Sequence, residues 1–192
     1  MNLPSYSVSP DGQPKECRQR ARRRFIRGVG IAVPAIMTVQ SSSALATQCF
    51  APSAAASIAL LHSRLDREHA VCLGRTPGFW KNAARSGHPN HGFWVTAGGE
   101  GVLFSTVFGG GFPGKTLLDV LNTSGNANYA ALGRHLAAAY LNFKIGWVPA
   151  TVLSLQDLID MWNGRAGTYS PTAGVMWNAG QIVDYLKTTM PL

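Results

Sequence analysis

The stretch that most constrains the fold runs from Asn128 to Lys144 and reads NYAALGRHLAAAYLNFK. Tyr129, Leu132, Leu136, Tyr140 and Phe143 recur at helical spacing, which predicts one apolar stripe on a helix. Four other segments read the same way. Ser53 to Ala70 is alanine-rich, with Ser53 as its cap and Ile58, Leu61 and Leu65 in register. Leu117 to Asn122 is a short helix. Ser154 to Asn163 carries a Ser154/Asp157 capping pair, turns Leu155, Leu158, Ile159 and Trp162 inward, and stops at Gly164. Thr172 to Thr188 closes the chain, with Val175, Met176, Ile182 and Leu186 in the core. Gly74 to Gly101 is dense in Gly, Pro, Asn and aromatics and reads as irregular. Alternating strand patterns are scarce. The predicted class is all-α, a small domain of about five helices with a long irregular aromatic and glycine-rich segment.

The first 46 residues read as an address rather than as part of that domain. Arg22, Arg23 and Phe25 sit in ARRRFIRG, close to the twin-arginine export pattern, with Ala21 where Ser or Thr is usual. A mildly apolar stretch, Val29 to Val39, leads to Ala44-Leu45-Ala46, an A-x-A cleavage site. It is shorter than the roughly 20 residues that span a bilayer. The expectation is a removable signal peptide over residues 1–46, recognised by the twin-arginine machinery and signal peptidase. One exported domain, residues 47–192, then works in the periplasm, at the cell surface or outside the cell, with no stable membrane anchor. Cys49 and Cys72 remain in that domain. An even pair in an oxidising compartment is expected to bridge, the alternative being two free thiols. The net charge of +8 suggests nucleic acid, but seven basic and two acidic residues of it lie in residues 1–46. The remaining ten basic and seven acidic residues are scattered singly, which argues against a nucleic-acid partner.

Gly109 to Thr116, GGGFPGKT, fills every fixed position of the phosphate-binding pattern G-x-x-x-x-G-K-[ST]. A phosphate cradle needs a strand feeding the loop and a parallel sheet beside it. The chain offers one apolar run, Val102 to Phe108, and no βαβ rhythm after it. Pro113 also removes an amide the cradle would use. The loop therefore reads as a flexible entry to a short helix, where Lys115 could help hold an anion.

Residues Cys72 to Asn82, CLGRTPGFWKN, resemble a family of secreted bacterial domains marked by Thr-x-Gly-[Tyr/Phe]-Trp-Lys-Asn-His soon after a cysteine. Thr76, Gly78, Phe79, Trp80, Lys81 and Asn82 match, and Ala83 stands where that family has His. The likeness continues in LLDVLNTSGNANYAALGRHLAAAYLNFKIG, Leu117 to Gly146, and so covers about half of residues 47–192. It implies secretion and a helical domain, and carries over no catalytic residue. Physically, Pro77-Gly78 favours a turn, Trp80 brings a large ring whose N–H wants a partner, Lys81 can lie along an aromatic face, and Asn82 can bond its own backbone. One reading is a structural corner that pins the loop to the helices. The other is an exposed platform of Phe79, Trp80, Lys81, Asn82, Phe93 and Trp94, with Asn90 nearby, for an envelope glycan or a protein.

Catalytic patterns are weak. No G-x-S-x-G elbow occurs, and Asp157 and Asp160 near a helix start read as capping or solvated acids. His88 and His91 are candidate metal ligands on one turn, but no third ligand stands at a suitable spacing. His62 and His69 are two helical turns apart, too far to share an ion. The expectation is therefore a non-enzymatic structural or binding domain without cofactor. The alternative is an exported enzyme, a glycan-directed hydrolase, with its site in Arg75 to Trp94.

Overall fold

Helix α6 (Ala130–Lys144) is the axis of the structure, a computed structural model that describes residues 48–61 and 70–191. Its buried positions include Leu132, Gly133, Leu136, Ala137, Ala138, Ala139 and Leu141, nearly the whole circumference. Ala and Gly let neighbouring helices come close, so the small residues form the contact face as much as the large ones. The expected stripe is thus corrected in part. Leu132 and Leu136 are buried, Tyr140 and Phe143 are half-buried, and Tyr129 is exposed at the helix entry.

Around α6 pack α2 (Pro77–Ala83), α5 (Leu117–Leu121), α7 (Leu155–Asn163) and α8 (Ala179–Thr188). Helices α1 (Pro52–Leu61), α3 (His91–Thr96) and α4 (Phe104–Phe108) complete eight α-helices among the described residues. The protein is mainly helical but not purely so. Two small antiparallel ribbons, β1 (Gln48–Cys49) with β2 (Ala70–Val71) and β3 (Tyr169–Thr172) with β4 (Val175–Trp177), correct the all-α expectation.

The second ribbon replaces the first third of the helix expected over Thr172 to Thr188. Gly174 turns with φ +78°, and Val175, Met176 and Trp177 alternate half-buried, exposed and buried, as a strand does. Met176 is 61% exposed and leaves the expected core. Asn178 then starts α8 with a capping box to Gln181. The expected helix over Ser53 to Ala70 begins instead with Pro52, which suits the first helical position. Ala70 belongs to β2, and the intervening residues 62–69, with His62, Leu65 and His69, lie outside the described residues. The signal residues Arg22, Arg23, Phe25, Ala44 and Ala46 also lie outside them.

Cys49 and Cys72 are bonded, with Cα atoms 5.8 Å apart, and so tie the ends of the first ribbon. The Tyr185 hydroxyl of α8 donates to the Phe50 carbonyl at 2.9 Å, fixing the same corner to the last helix. Helix α7 starts and ends as the sequence implies. Ser154 Oγ accepts from the Asp157 amide at 3.1 Å, the Asp157 carboxylate accepts from the Ser154 amide at 2.8 Å, and Gly164 is the C-cap.

Candidate functional site

The segment TPGFWKN is helical. Thr76 caps α2, its hydroxyl oxygen accepting from the Phe79 amide at 3.4 Å, and Pro77 occupies the first helical position. Pro77-Gly78 therefore starts a helix rather than a turn. The irregular segment expected over Gly74 to Gly101 in fact holds α2 and α3.

Trp80 points into the core and is fully buried. Removing roughly 200 Å² of indole from water is worth about 5 kcal/mol. Its Nε1–H donates at 3.0 Å to Oδ1 of Asn142, a buried polar residue on α6. The same Oδ1 accepts from the Arg75 amide at 2.9 Å, and Asn142 Nδ2 donates to the Arg75 carbonyl at 2.9 Å. One amide side chain thus pairs the backbone of residue 75 in both directions, as a neighbouring strand would, and satisfies the indole as well. The clamp closes tightly. A Cβ on Gly74 would run into the Thr189 carbonyl and stand 3.1 Å from Asn142 Nδ2. The Asn142 carbonyl accepts from the Trp147 amide at 2.9 Å, and the Trp147 carbonyl from the Leu73 amide at 2.9 Å. Asn142 escaped sequence reasoning. The available signal was an asparagine set among apolar residues, AAAYLNFK, on the strongest helix.

Arg75 lies between aromatic rings, its guanidinium carbon 5.3 Å from the Phe79 centroid and 5.6 Å from that of Trp147. Its Nε is buried without a hydrogen-bond partner among the described residues, and the two ring faces lie beside the guanidinium. The cation over the rings is therefore Arg75, where Lys81 was expected. The amide that holds backbone is Asn142, where Asn82 was expected. Lys81 is half-buried and Asn82 exposed on α2.

Trp94 is buried as well. A Cβ on Gly99 would stand 2.7 Å from its ring, and the Trp94 carbonyl accepts from the Gly99 amide at 3.1 Å. An exposed platform built on Trp80 and Trp94 is therefore corrected: both indoles are core. Phe93 remains at the surface, 44% exposed, with its ring 5.0 Å from Trp147 and 6.4 Å from Phe79.

His88 and His91 serve the turn between α2 and α3. His88 Nδ1 accepts from the Asn90 amide at 3.1 Å, and His91 Nδ1 donates to the Ala83 carbonyl at 3.0 Å. Among the described residues, no three His, Cys, Asp or Glu side chains are grouped to hold a metal.

GGGFPGKT follows helix α4, not a strand, and Gly109 caps that helix in a left-handed conformation. The loop folds back so that the Phe104 amide donates to the Lys115 carbonyl at 2.9 Å and the Leu117 amide to the Val102 carbonyl at 2.8 Å. Phe112 inserts inward, its ring 5.0 Å from Phe104 and 5.6 Å from Trp162, filling the space left by Gly133 on α6. Thr116 is engaged as the cap of α5. Its hydroxyl donates to the Asp119 carboxylate at 2.8 Å and accepts from the Asp119 amide at 3.1 Å. Those Thr116 bonds hold the Asp119 carboxyl below its usual range. The N-terminus of α5 thus already faces a carboxylate, which corrects the suggestion that Lys115 holds an anion there.

The titration of His135 links stability to pH. His135, half-buried on α6, donates from Nδ1 to the Ala131 carbonyl at 2.8 Å. Burial, with Lys187 and Arg134 nearby, holds its pKa below 6.5; the Ala131 bond and Asp184 oppose them. The folded state favours neutral imidazole, so between the lowered value and 6.5 the unfolded chain binds more protons. Stability should therefore be full above pH 6.5 and fall with pH through that window. His135→Gln should flatten this dependence in urea melts at pH 5 and pH 8.

Compared with family models, with curated proteins and with solved structures, the chain matches none.

Proposed function

We propose that the chain is an exported, non-enzymatic structural or binding domain that acts at the cell envelope or outside the cell. The observation that carries this reading is the use made of TPGFWKN: the Trp80 indole N–H and the Arg75 backbone are spent on Asn142 inside the core. Such a motif builds a corner that holds surfaces in place. The Cys49–Cys72 bond supports an oxidising compartment, and the resemblance to secreted bacterial domains points the same way. Among the described residues no helix is long and apolar enough to cross a membrane. An enzyme centred on Arg75 to Trp94 gains no support from Trp80, whose indole faces Asn142 rather than His88, His91 or Glu100. An envelope glycan or a protein is the partner class proposed.

The test is to express the full chain in a host with twin-arginine export and weigh the product intact under native conditions. We expect a chain starting at Thr47, lighter by about 2 Da for the two hydrogens lost on forming Cys49–Cys72, with no bound nucleotide. Replacing Arg22 and Arg23 by Lys should leave uncleaved precursor in the cytoplasm. Export and cleavage unchanged in that variant, or free thiols in the product, would overturn the reading. A copurified nucleotide would overturn the structural account of Gly109 to Thr116.

A further inference from the structure

A cleft of about 610 Å³ opens between the GGGFPGKT loop, the turn before α6 and the end of α7. Its volume lies in the range of about 300–1,000 Å³ typical of ligand sites. Two of the residues lining it, Phe112 at φ +45° and Tyr129 at φ +60°, are the only non-glycine residues with positive φ among the described residues. Left-handed backbone at an aromatic residue costs of order 1–2 kcal/mol and clusters where a protein shapes a binding site. Here both instances face one cleft.

Among the described residues the cleft's lining has one cation, Arg165, and no carboxylate. The Arg165 guanidinium carbon lies over the Trp162 ring, 4.3 Å from its centroid, and 5.6 Å from that of Tyr129. Arg165 Nη1 donates to the Trp162 carbonyl at 2.7 Å, which tethers the guanidinium there. Its Nε–Nη2 edge has no hydrogen-bond partner among the described residues, and neither has the Ser124 hydroxyl. Tyr129 is 39% exposed and offers its ring.

We propose that this cleft binds a saccharide bearing a carboxylate. The free Arg165 edge matches a planar carboxylate with two parallel N–H donors. The Tyr129 ring suits the apolar C–H face of a pyranose, and Ser124 can bond its hydroxyls. A single cation balances one carboxylate, whereas a nucleotide's phosphates would leave most of their charge uncompensated. The site lies outside Arg75 to Trp94, so it adds a ligand to the proposed function rather than repeating its motif.

The probe is methyl galacturonoside, a pyranose with a single carboxylate, with its methyl ester as the neutral equivalent, titrated into the purified protein and followed by the tryptophan indole N–H resonances. We expect saturable shifts at the Trp162 indole at sub-millimolar ligand, with the ester and Arg165→Gln each binding about tenfold more weakly. Absence of saturation at millimolar methyl galacturonoside, equal affinity for the ester, or unchanged binding by Arg165→Gln overturns the proposal. Should Arg165→Gln fail to fold, Arg165→Lys keeps the stem over Trp162 and the charge but loses the planar fork. It too should bind about tenfold more weakly, and unchanged affinity overturns the proposal. A failed titration leaves the mass and export measurements untouched, so the two readings fail separately.

Discussion

Asn142→Ala should lower the stability of the folded protein by about 4 kcal/mol, because it strands one buried and two half-buried groups at once, each worth about 1–3 kcal/mol when unpaired. The groups are the Trp80 indole N–H and the amide and carbonyl of Arg75. For a chain of this size the melting temperature should fall by about 10–15 °C. Asn142→Asp should not rescue it, since a carboxylate cannot donate to the Arg75 carbonyl and brings charge into the core. Asn82→Ala, at the exposed asparagine of the motif itself, should stay within about 0.5 kcal/mol of the parent. Urea unfolding of the three variants decides the matter. A cost below about 1 kcal/mol for Asn142→Ala would mean that the clamp does not hold the corner.

Gly111→Ala should cost a similar amount, about 4 kcal/mol, for two reasons that add. At φ +78° an alanine is strained by about 1–2 kcal/mol. Its Cβ would also overlap the Trp162 ring, and forcing extra atoms into a packed site costs about 1–3 kcal/mol. Lys115→Ala, exposed on the same loop, should leave the melting temperature within about 1–2 °C of the parent. A phosphate-binding loop would respond the other way, with the lysine substitution abolishing nucleotide affinity at unchanged stability. Thermal unfolding with and without ATP separates the two behaviours.

Several elements were legible because their causes are local. Ser154 and Asp157 lie three residues apart and cap α7 through each other's side chains, so neither needs the rest of the chain. Leu117 to Asn122 was readable as a short helix from its leucine-rich run. The misreadings came where a local pattern allowed two outcomes. Val175-Met176-Trp177 fits a helix or a strand, and pairing with Tyr169–Thr172 decided for the strand. Val102 to Phe108 was an undecided apolar run, and the fold made Phe104–Phe108 a helix whose Phe104 and Phe108 rings lie 4.3 Å apart in the core. Of the candidate site residues, Phe79 and Phe93 do reach a common aromatic surface, while Trp80 and Trp94 do not, because an indole's exposure depends on what packs above it.

The sequence by itself determined the mainly helical class, the long central helix and the capping pair of α7, and it made a Cys49–Cys72 bond the expectation. Each follows from short-range spacing, or from the two cysteines, of three in the chain, that lie beyond residue 46. Only the tertiary structure decided that Asn142 rather than Asn82 is the working amide, that Arg75 rather than Lys81 covers the rings, and that GGGFPGKT packs a half-buried Phe112 against the core. It also brought Phe112, Tyr129, Trp162 and Arg165 to one cleft. Those are meetings of residues separated by tens of positions, and no local pattern encodes them. They arise when small residues on α6 let the surrounding helices approach closely enough to share their buried polar and aromatic groups.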